Sequence, residues 1–479
     1  MTNLDPKVLR DFKDGIVQET AVDEYLMPKG AVNEAINLHF DRIGSVTLRP
    51  GLTILGAQII DNKTILGIHQ FKDEGAGTDN QLLAAIGTEI YYLLSGTWTS
   101  KLSGQTTDQK TRFMSFLDYE WKTNGINAMQ TWNGGGGDFG TTHAVGAPAV
   151  KFIENFRSRV WGANTSSYPS RIYYTSTPSG TPLDVTWTGT GSGNIDIAPG
   201  DGEDITGIKK FARSLLVFKN NFIYPINNIN DTEPDPQIFV GTYSQESIVL
   251  GKDGVYFHHP SGIYRLRRGE TLPKEISRPI YGFIKNIPSS SYENVGGWKD
   301  DDHIYESIGD ITIDGISFIN IVARWTISTE VWTIYSYSRE LRVGCDYDDG
   351  SSIFQIVGDT DGKIYKLNVG KTDDGDPIHY SLITGWYNLT GLRSETKTIT
   401  KLSSLCKNAQ GSRIEWQNQD DDYYTWHKIG QLEKTDTIFD SQDIKGRKIR
   451  FRLSGSSVGD EFVWQGIELL NGINEGVIN

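Results

Sequence analysis

One pattern limits what this chain can fold into. Short apolar runs are closed by Gly, Asp or Asn turns and followed by Ile or Val with Tyr. The pair recurs nine times, at Ile90-Tyr91, Ile172-Tyr173, Ile223-Tyr224, Val255-Tyr256, Ile263-Tyr264, Ile280-Tyr281, Ile304-Tyr305, Ile334-Tyr335 and Ile364-Tyr365. Composition alone would give roughly three, so the excess points to internal repeats. Segments such as LLAAIGTEIYYLLSGTWTSKL (82–102), KKFARSLLVFKNNFIYPI (209–226) and SIVLGKDGVYFHHPSGIYRLRRG (247–269) each read as strand, turn, strand. A meander of three or four strands cannot bury both its faces alone. Repeated every 30–50 residues, such units stack radially around an axis, which predicts an all-β chain built on a β-propeller of six or seven blades.

The ends of the chain read differently. Asp5, Pro6 and the spacing of Val8, Leu9 and Phe12 predict one short helix over residues 5–13, stopped by Gly15. NLHFDRIGSVTLRPG (37–51) predicts a hairpin turning at Asp41–Gly44. After a composition shift at Tyr387–Lys397 the strands lengthen, which predicts a sandwich-like C-terminal β domain. The organisation expected is an N-terminal arm and hairpin (1–55), a propeller (56–388) and a terminal β domain (389–479).

Charge and composition restrict function. Asp and Glu total 60 against 46 Lys and Arg, a net charge of −14, which disfavours wrapping nucleic acid with the whole surface. The two cysteines, Cys345 and Cys406, make no disulfide framework. The N-terminus lacks the apolar core of a signal peptide, and no run approaches the ~18 apolar residues of a membrane span, so a soluble protein of a reducing compartment is expected.

Motifs for catalysis are thin. NGGGGDFG (133–140) has neither the strand before it nor the helix after it that a phosphate cradle needs. The groups Asp346/Asp348/Asp349, Asp359/Asp361, Asp373/Asp374/Asp376 and Asp420/Asp421/Asp422 sit where turns are expected and lack the closing Glu of a calcium loop. His258 and His259 are neighbours on one strand and face opposite ways. No catalytic, cofactor-binding or metal-ligating residue is therefore assigned, and no cofactor is expected. The best basic patch is on the segment 447–453. There Ile449, Phe451 and Leu453 face one way, while Lys448, Arg450 and Arg452, with Arg447 beside them, form a wet face for docking an acidic partner or touching phosphates. On that reading, Arg450→Glu would leave the fold intact. Arg265, Arg267 and Arg268 form a second basic group.

Several segments together resemble a known family. DEYLMPKGAVNEAINLHFDRIGSVTLRPG (23–51), ITGIKKFARSLLVFKNNFIYPI (205–226), RVWGANTSSYPSRIYYTSTPSGTPLDVTW (159–187), GVYFHHPSGIYRLRRG (254–269) and ISRPIYGFI (276–284) are similar to the tail hub or nozzle proteins of short-tailed bacteriophages, including the packaged-DNA stabilisation proteins. The resemblance implies a virion tail protein made in the bacterial cytoplasm, with no active site. It implies a homo-hexameric ring below the portal and its adaptor ring, with fibres or spikes nearby and double-stranded DNA passing through without sequence recognition. An alternative expectation is a glycan-binding or glycan-hydrolysing propeller, with some of the 12 Trp as sugar platforms.

Overall fold

A computed structural model describes residues 2–3, 7–9, 12–18, 28, 30–41, 44–72, 81–135, 137–180, 184–231, 234, 238–387, 395–422, 425–440, 442–457 and 462–477. Their helical content is one four-residue turn, Tyr281–Ile284, and four 3-10 turns; the rest of the regular structure is strand.

Seven antiparallel blades close around an axis. The first strands of the blades are Ile65–Phe71, Arg112–Phe116, Phe152–Phe156, Gly207–Phe211, Val249–Leu250, Gly296–Lys299 and Leu341–Asp348, and residues on or beside all seven line one central cavity. Successive first strands pack side by side, except that the fourth meets the segment ahead of the fifth, Gly207 lying against Gln245 and Ile248, and the seventh returns to the first. This approach leaves no room for side chains: a Cβ on Gly67 would stand 2.0 Å from the Thr111 carbonyl oxygen, and one on Gly344 would stand 2.9 Å from Trp298 Cβ.

The Ile/Val-Tyr repeat has a physical meaning in this arrangement. Strand alternation sends the aliphatic residue into one inter-blade layer and the tyrosine into the other. Ile223, Val255, Ile304 and Ile364 are fully buried, as are Tyr224, Tyr256, Tyr305 and Tyr365. Each of these four phenols donates to an aspartate, Tyr224 to Asp201 (3.2 Å), Tyr256 to Asp253 (2.6 Å), Tyr305 to Asp300 (2.9 Å) and Tyr365 to Asp359 (3.1 Å). One of the nine pairs departs from the pattern, because Ile280-Tyr281 lies in a helical turn rather than a strand. A second device is shared by blades two and three. Trp121 Nε1 donates to the Phe116 carbonyl (3.1 Å) and Trp161 Nε1 to the Phe156 carbonyl (3.0 Å). Each bond spans a two-residue turn whose central residues, Leu117-Asp118 and Arg157-Ser158, have positive φ, as such hairpins require.

The seventh blade takes its outer strand from the N-terminal part of the chain. Leu52–Ile54 pairs antiparallel with Ile364–Leu367, so the ring is closed by hydrogen bonds between segments more than 300 residues apart. The sixth blade does not end at its own edge. Its strand Val331–Ser336 pairs with Ala31–Ile36, and the sheet runs on through Ile378–Thr384, Ile449–Ser457, Arg413–Asn418 and His427–Gln431. A second sheet, centred on the long pair Glu395–Lys407 and Val463–Val477, packs against the extension. Val32, Leu38, Val46, Leu382, Ile399, Leu402, Phe451 and Trp464 belong to the shared core. The terminal body is thus sandwich-like and built from both ends of the chain. The expected hairpin is present, with Leu38–His39 paired to Val46–Leu48. Ile378–Thr384, which precedes the composition shift, has both edges on strands of this terminal body.

The helix expected over residues 5–13 is not formed. Lys7–Leu9 is a strand on Val463–Val477, while positions 5, 6, 10 and 11 lie outside the described residues. A helix of two turns gains few internal hydrogen bonds against its nucleation cost, whereas an open sheet edge offers a ladder at once. Phe12, expected on a helix face, stacks on Trp464 at 5.1 Å.

Where closure, blade six and terminal body meet, Arg49 is fully buried and each of its five N–H groups finds an acceptor. Its guanidinium pairs two-pronged with Asp373 (2.8 and 2.6 Å). It also donates to Asn37 Oδ1 (2.7 Å), the Pro50 carbonyl (2.9 Å) and the Ser336 carbonyl (3.0 Å). Tyr337 lies beneath it at 4.0 Å. Removing one partner of such a pair leaves a buried charge uncompensated, so Arg49→Met should lower stability by about 3–5 kcal/mol. Urea unfolding followed by tryptophan fluorescence would read this as a fall in midpoint; an unchanged midpoint would contradict it.

Candidate functional site

The strand expected to carry a docking face is Ile449–Ser457, with Arg447 and Lys448 just before it. Its alternation is as read from the sequence, and Ile449, Phe451 and Leu453 are fully buried. The opposite face is not wet throughout. Arg450 is only 5% exposed, donates from Nε to Gln417 Oε1 (2.7 Å), and lies 4.5 Å from the Trp386 ring and 5.2 Å from the Trp426 ring. Arg452 binds Glu415 (2.7 Å) and lies 4.5 Å from Trp426. Two tryptophans thus roof the inner part of the patch, and only Arg447, exposed and paired with Asp420 at 2.9 Å, and the half-buried Lys448 face outward. Glu34 is held beneath the same cations; burial pushes its pKa up while Arg450, Arg452 and Ser381 oppose the rise.

The second basic group is split: Arg265 is internal, Arg267 is partly exposed and Arg268 is exposed. Arg265, 2% exposed, binds Glu330 (2.9 Å), and Arg267 reaches both Asp253 (3.0 Å) and Glu330 (3.1 Å), tying blade five to a turn of blade six. His258 and His259 do face opposite ways. His258 is fully buried, and desolvation pulls its pKa down to about 3; His259 contacts Ser261 and Asn221. The acidic groups cap turns or lock charges: Asp349 accepts from Ser351 and Ser352 N–H (both 3.0 Å), Asp359 from Asp361 and Lys363 N–H, and Asp373 from Arg49. Among the described residues no group of three or more His, Cys, Asp or Glu is placed to hold a metal ion. The loop at 133–140, position 136 lying outside the described residues, folds back on its own tryptophan: Trp132 Nε1 donates to the carbonyls of Gly135 and Gly137.

The cavity with the densest chemistry is the propeller axis, which was not read from the sequence. Its middle section encloses about 420 Å³ and gathers His69, Arg112, Glu154, Lys209 and Glu246. Each charge has a counterpart on another blade, next door for His69 and Lys209 and across the axis for Glu246. His69 Nδ1 lies 2.8 Å from Glu120, Lys209 is 3.4 Å from Glu154, and Glu246 receives Arg112 (2.7 Å) and Lys110 (3.0 Å). Burial alone would raise Glu246, but Arg112 and Lys110 outweigh it and hold the carboxyl at about 2. These pairs neutralise one another across blade boundaries, so the axis is a set of electrostatic rivets with its carboxylates already engaged. A signal was available: Glu154 and Lys209 are charged residues at the third position of five-residue first strands, and Arg112 opens another, where inner strands would otherwise be apolar.

No protein-family model matches the chain, and no curated protein matches it. Among solved structures it is similar to the computationally designed Ika8 protein, at 10% identity and a TM-score of 0.39 over 66% of this chain and 99% of that one. It is similar to YCF48 bound to D1 peptide, at 9% identity and a TM-score of 0.42 over 67% and 97%. It is similar to BamB from Moraxella catarrhalis, at 10% identity and a TM-score of 0.37 over 76% and 97%. No helix among the described residues is long and apolar enough to cross a membrane.

Two predictions follow from these geometries. Burial lowers the pKa of His69, but attraction to Glu120 outweighs it and the net shift is upward. The pair's stabilisation is therefore complete below the unfolded pKa of about 6.5 and is lost as pH rises through the higher folded value. Melting temperatures of wild type and Glu120→Gln should converge as pH rises from 6 towards 9; a constant gap would show that the pair does not titrate. The burial of Arg450 also reverses the sequence expectation. Arg450→Glu should lower the melting temperature of the terminal body, because it sets a carboxylate between two indoles beside Glu34 and Glu415. Arg447→Glu, at an exposed position, should not.

Proposed function

We propose that this chain is a structural tail protein of a short-tailed phage, a hub or nozzle subunit that works without catalysis. Copies assemble as a ring, six in the family it resembles, below the portal and adaptor. The ring continues the DNA exit channel, helps retain the packaged genome and then lets it leave. Fibres or spikes attach nearby, and the protein resides in the virion.

The observation that carries this reading is the unbroken sheet from blade six into the terminal body. The two β bodies are joined by sheet pairing at Ile334 and Ile36 and by the buried Arg49 joint beside it, an arrangement suited to a ring under load from packed DNA. Such a ring is built by head-to-tail contacts between different surfaces, which the propeller and the terminal body can supply. The axis of a single propeller, about 420 Å³ at its middle and crossed by ion pairs, cannot admit a duplex, so DNA would pass through the lumen enclosed by several copies. A net charge of −14 per copy suits a wall that phosphates do not stick to.

Electron microscopy of intact particles, with this chain tagged, tests the proposal. Density for the chain as a ring around the DNA exit channel is the expected result. Peripheral copies that bind a glycan array would overturn it and favour a receptor-binding propeller.

A further inference from the structure

The sheet that joins blade six to the terminal body has a notch in one end. Four of its strands follow in the order Ile316–Thr326, Val331–Ser336, Ala31–Ile36 and Ile378–Thr384. The middle two are parallel, each outer one is antiparallel to its neighbour, and so the outer two run the same way. The middle strands stop on the same side, where Ser336 pairs with Ile321 and Ile36 pairs with Ser381. The outer strands run on past these pairs, as Ile316–Asn320 and Ile378–Tyr380. A cavity of about 270 Å³ is lined by Ile319 from one extension, by Ile378, His379 and Tyr380 from the other, and by Asn37 and Tyr337 from the ends of the middle strands.

The longer of these edges presents main chain to that space. Asn37 Nδ2 donates to the His379 carbonyl (2.6 Å) from the end of its strand. In a paired strand the N–H and C=O of one residue point to the same side, so the His379 N–H faces the notch as well. Residues Ile378–Tyr380 pair on their other edge, with Gly455–Ser457, and no described strand lies against the near edge. Across the notch Ser336 Oγ donates to the Ile319 carbonyl (2.8 Å), and Ile319 is 57% exposed. An open edge of this kind is a template for another extended chain. The rim is acidic. Asp310, which accepts from Asn320 N–H (2.8 Å), and Asp374 are exposed and have no cation in ion-pair reach among the described residues. Asp376, beside Pro377 of the lining, meets Arg339 at 3.7 Å. An incoming strand with basic ends would meet carboxylates on both sides.

We propose that the notch takes one extended strand of a partner protein, apolar in its middle and basic at its ends. A carbonyl of that strand accepts from the His379 N–H, an apolar side chain covers Ile319, and the basic ends meet Asp310 and Asp374. The contact adds a strand to the sheet and does not rest on the tail role proposed above.

The test titrates the full chain into fluorescein-labelled Lys-Thr-Val-Thr-Val-Lys and reads anisotropy. One comparator is the same peptide N-methylated at its four central residues, because those methyl groups keep a strand from the ladder distance of about 4.8 Å. The other is Glu-Thr-Val-Thr-Val-Glu. Saturable binding of the lysine peptide is expected, with the glutamate peptide weaker and the methylated one not bound. His379→Pro removes the N–H that faces the notch and spares the ladder on the other edge. It should weaken the lysine peptide about three- to tenfold, the worth of one hydrogen bond. Ile319→Lys, at an exposed position, should weaken it as well. Melting curves check that both variants fold, and the comparison of peptides on wild type stands without them. No saturable binding to wild type, equal binding of the methylated or the glutamate peptide, or unchanged affinity in both folded variants would overturn the proposal. So would sedimentation in which wild type self-associates and Ile319→Lys does not, since the occupant would then be a second copy.

Discussion

The buried pair of Arg49 and Asp373 ties together parts of the chain that are distant in sequence. Arg49 precedes the strand that closes the seventh blade, Asp373 follows that blade's last strand of its own, and the guanidinium also reaches the Ser336 carbonyl at the end of blade six. Asn37, bonded to the same guanidinium, donates on to the His379 carbonyl of the terminal body (2.6 Å) and accepts from Ser336 N–H (2.8 Å). A buried ion pair is weak evidence for stability in itself, because desolvation offsets much of its attraction. Its effect here is on specificity. Five donors in a rigid fork accept one arrangement of four chain segments and penalise any other. Gly51 completes the joint: a Cβ there would lie 1.9 Å from the Thr372 carbonyl oxygen, so the closing strand can approach only without one.

Around that joint the structure repeats a few small devices. A tyrosine–aspartate bond recurs in blades four to seven, tryptophans in blades two and three hold the carbonyl ahead of a tight turn, and ion pairs cross blade boundaries along the axis. The first two satisfy buried polar groups within a blade, apart from Tyr224, whose Asp201 lies on the segment arriving from blade three; the ion pairs are what make one blade depend on another. The conversion of blade six into a sheet shared with the terminal body extends the same dependence beyond the ring.

The strand-turn rhythm and the Ile-Tyr repeat were enough to read the propeller, because alternation between two buried layers leaves its mark on local sequence. The hairpin at 37–51 was legible for the same reason. The assignment of residues 5–13 failed because Asp5-Pro6 is a genuine helix-start signal whose competitor, the open edge of Val463–Val477, lies more than 450 positions away. Arg450 misled in a similar way. Its alternation with Phe451 was correct, but the indoles of Trp386 and Trp426 that cover it come from other segments. Arg49 was visible only as part of an Arg-Pro-Gly motif, since its partner is 324 residues on. Long-range partners decide which charged residues become rivets, and a single sequence does not display them.

The role proposed for this chain, a hub or nozzle subunit that transmits load, requires one body with no weak seam at the closing strand or between ring and terminal sheets. Native-state hydrogen exchange tests this most directly, by comparing the amides of Leu52–Ile54 and Ala31–Ile36 with those of the blade-one strand Gln81–Ile86. One cooperative body requires all three sets to open with the same free energy and the same denaturant dependence. If Leu52–Ile54 or Ala31–Ile36 exchanges through a much cheaper opening while blade one stays protected, the closure and the shared sheet do not bind the molecule into a single unit.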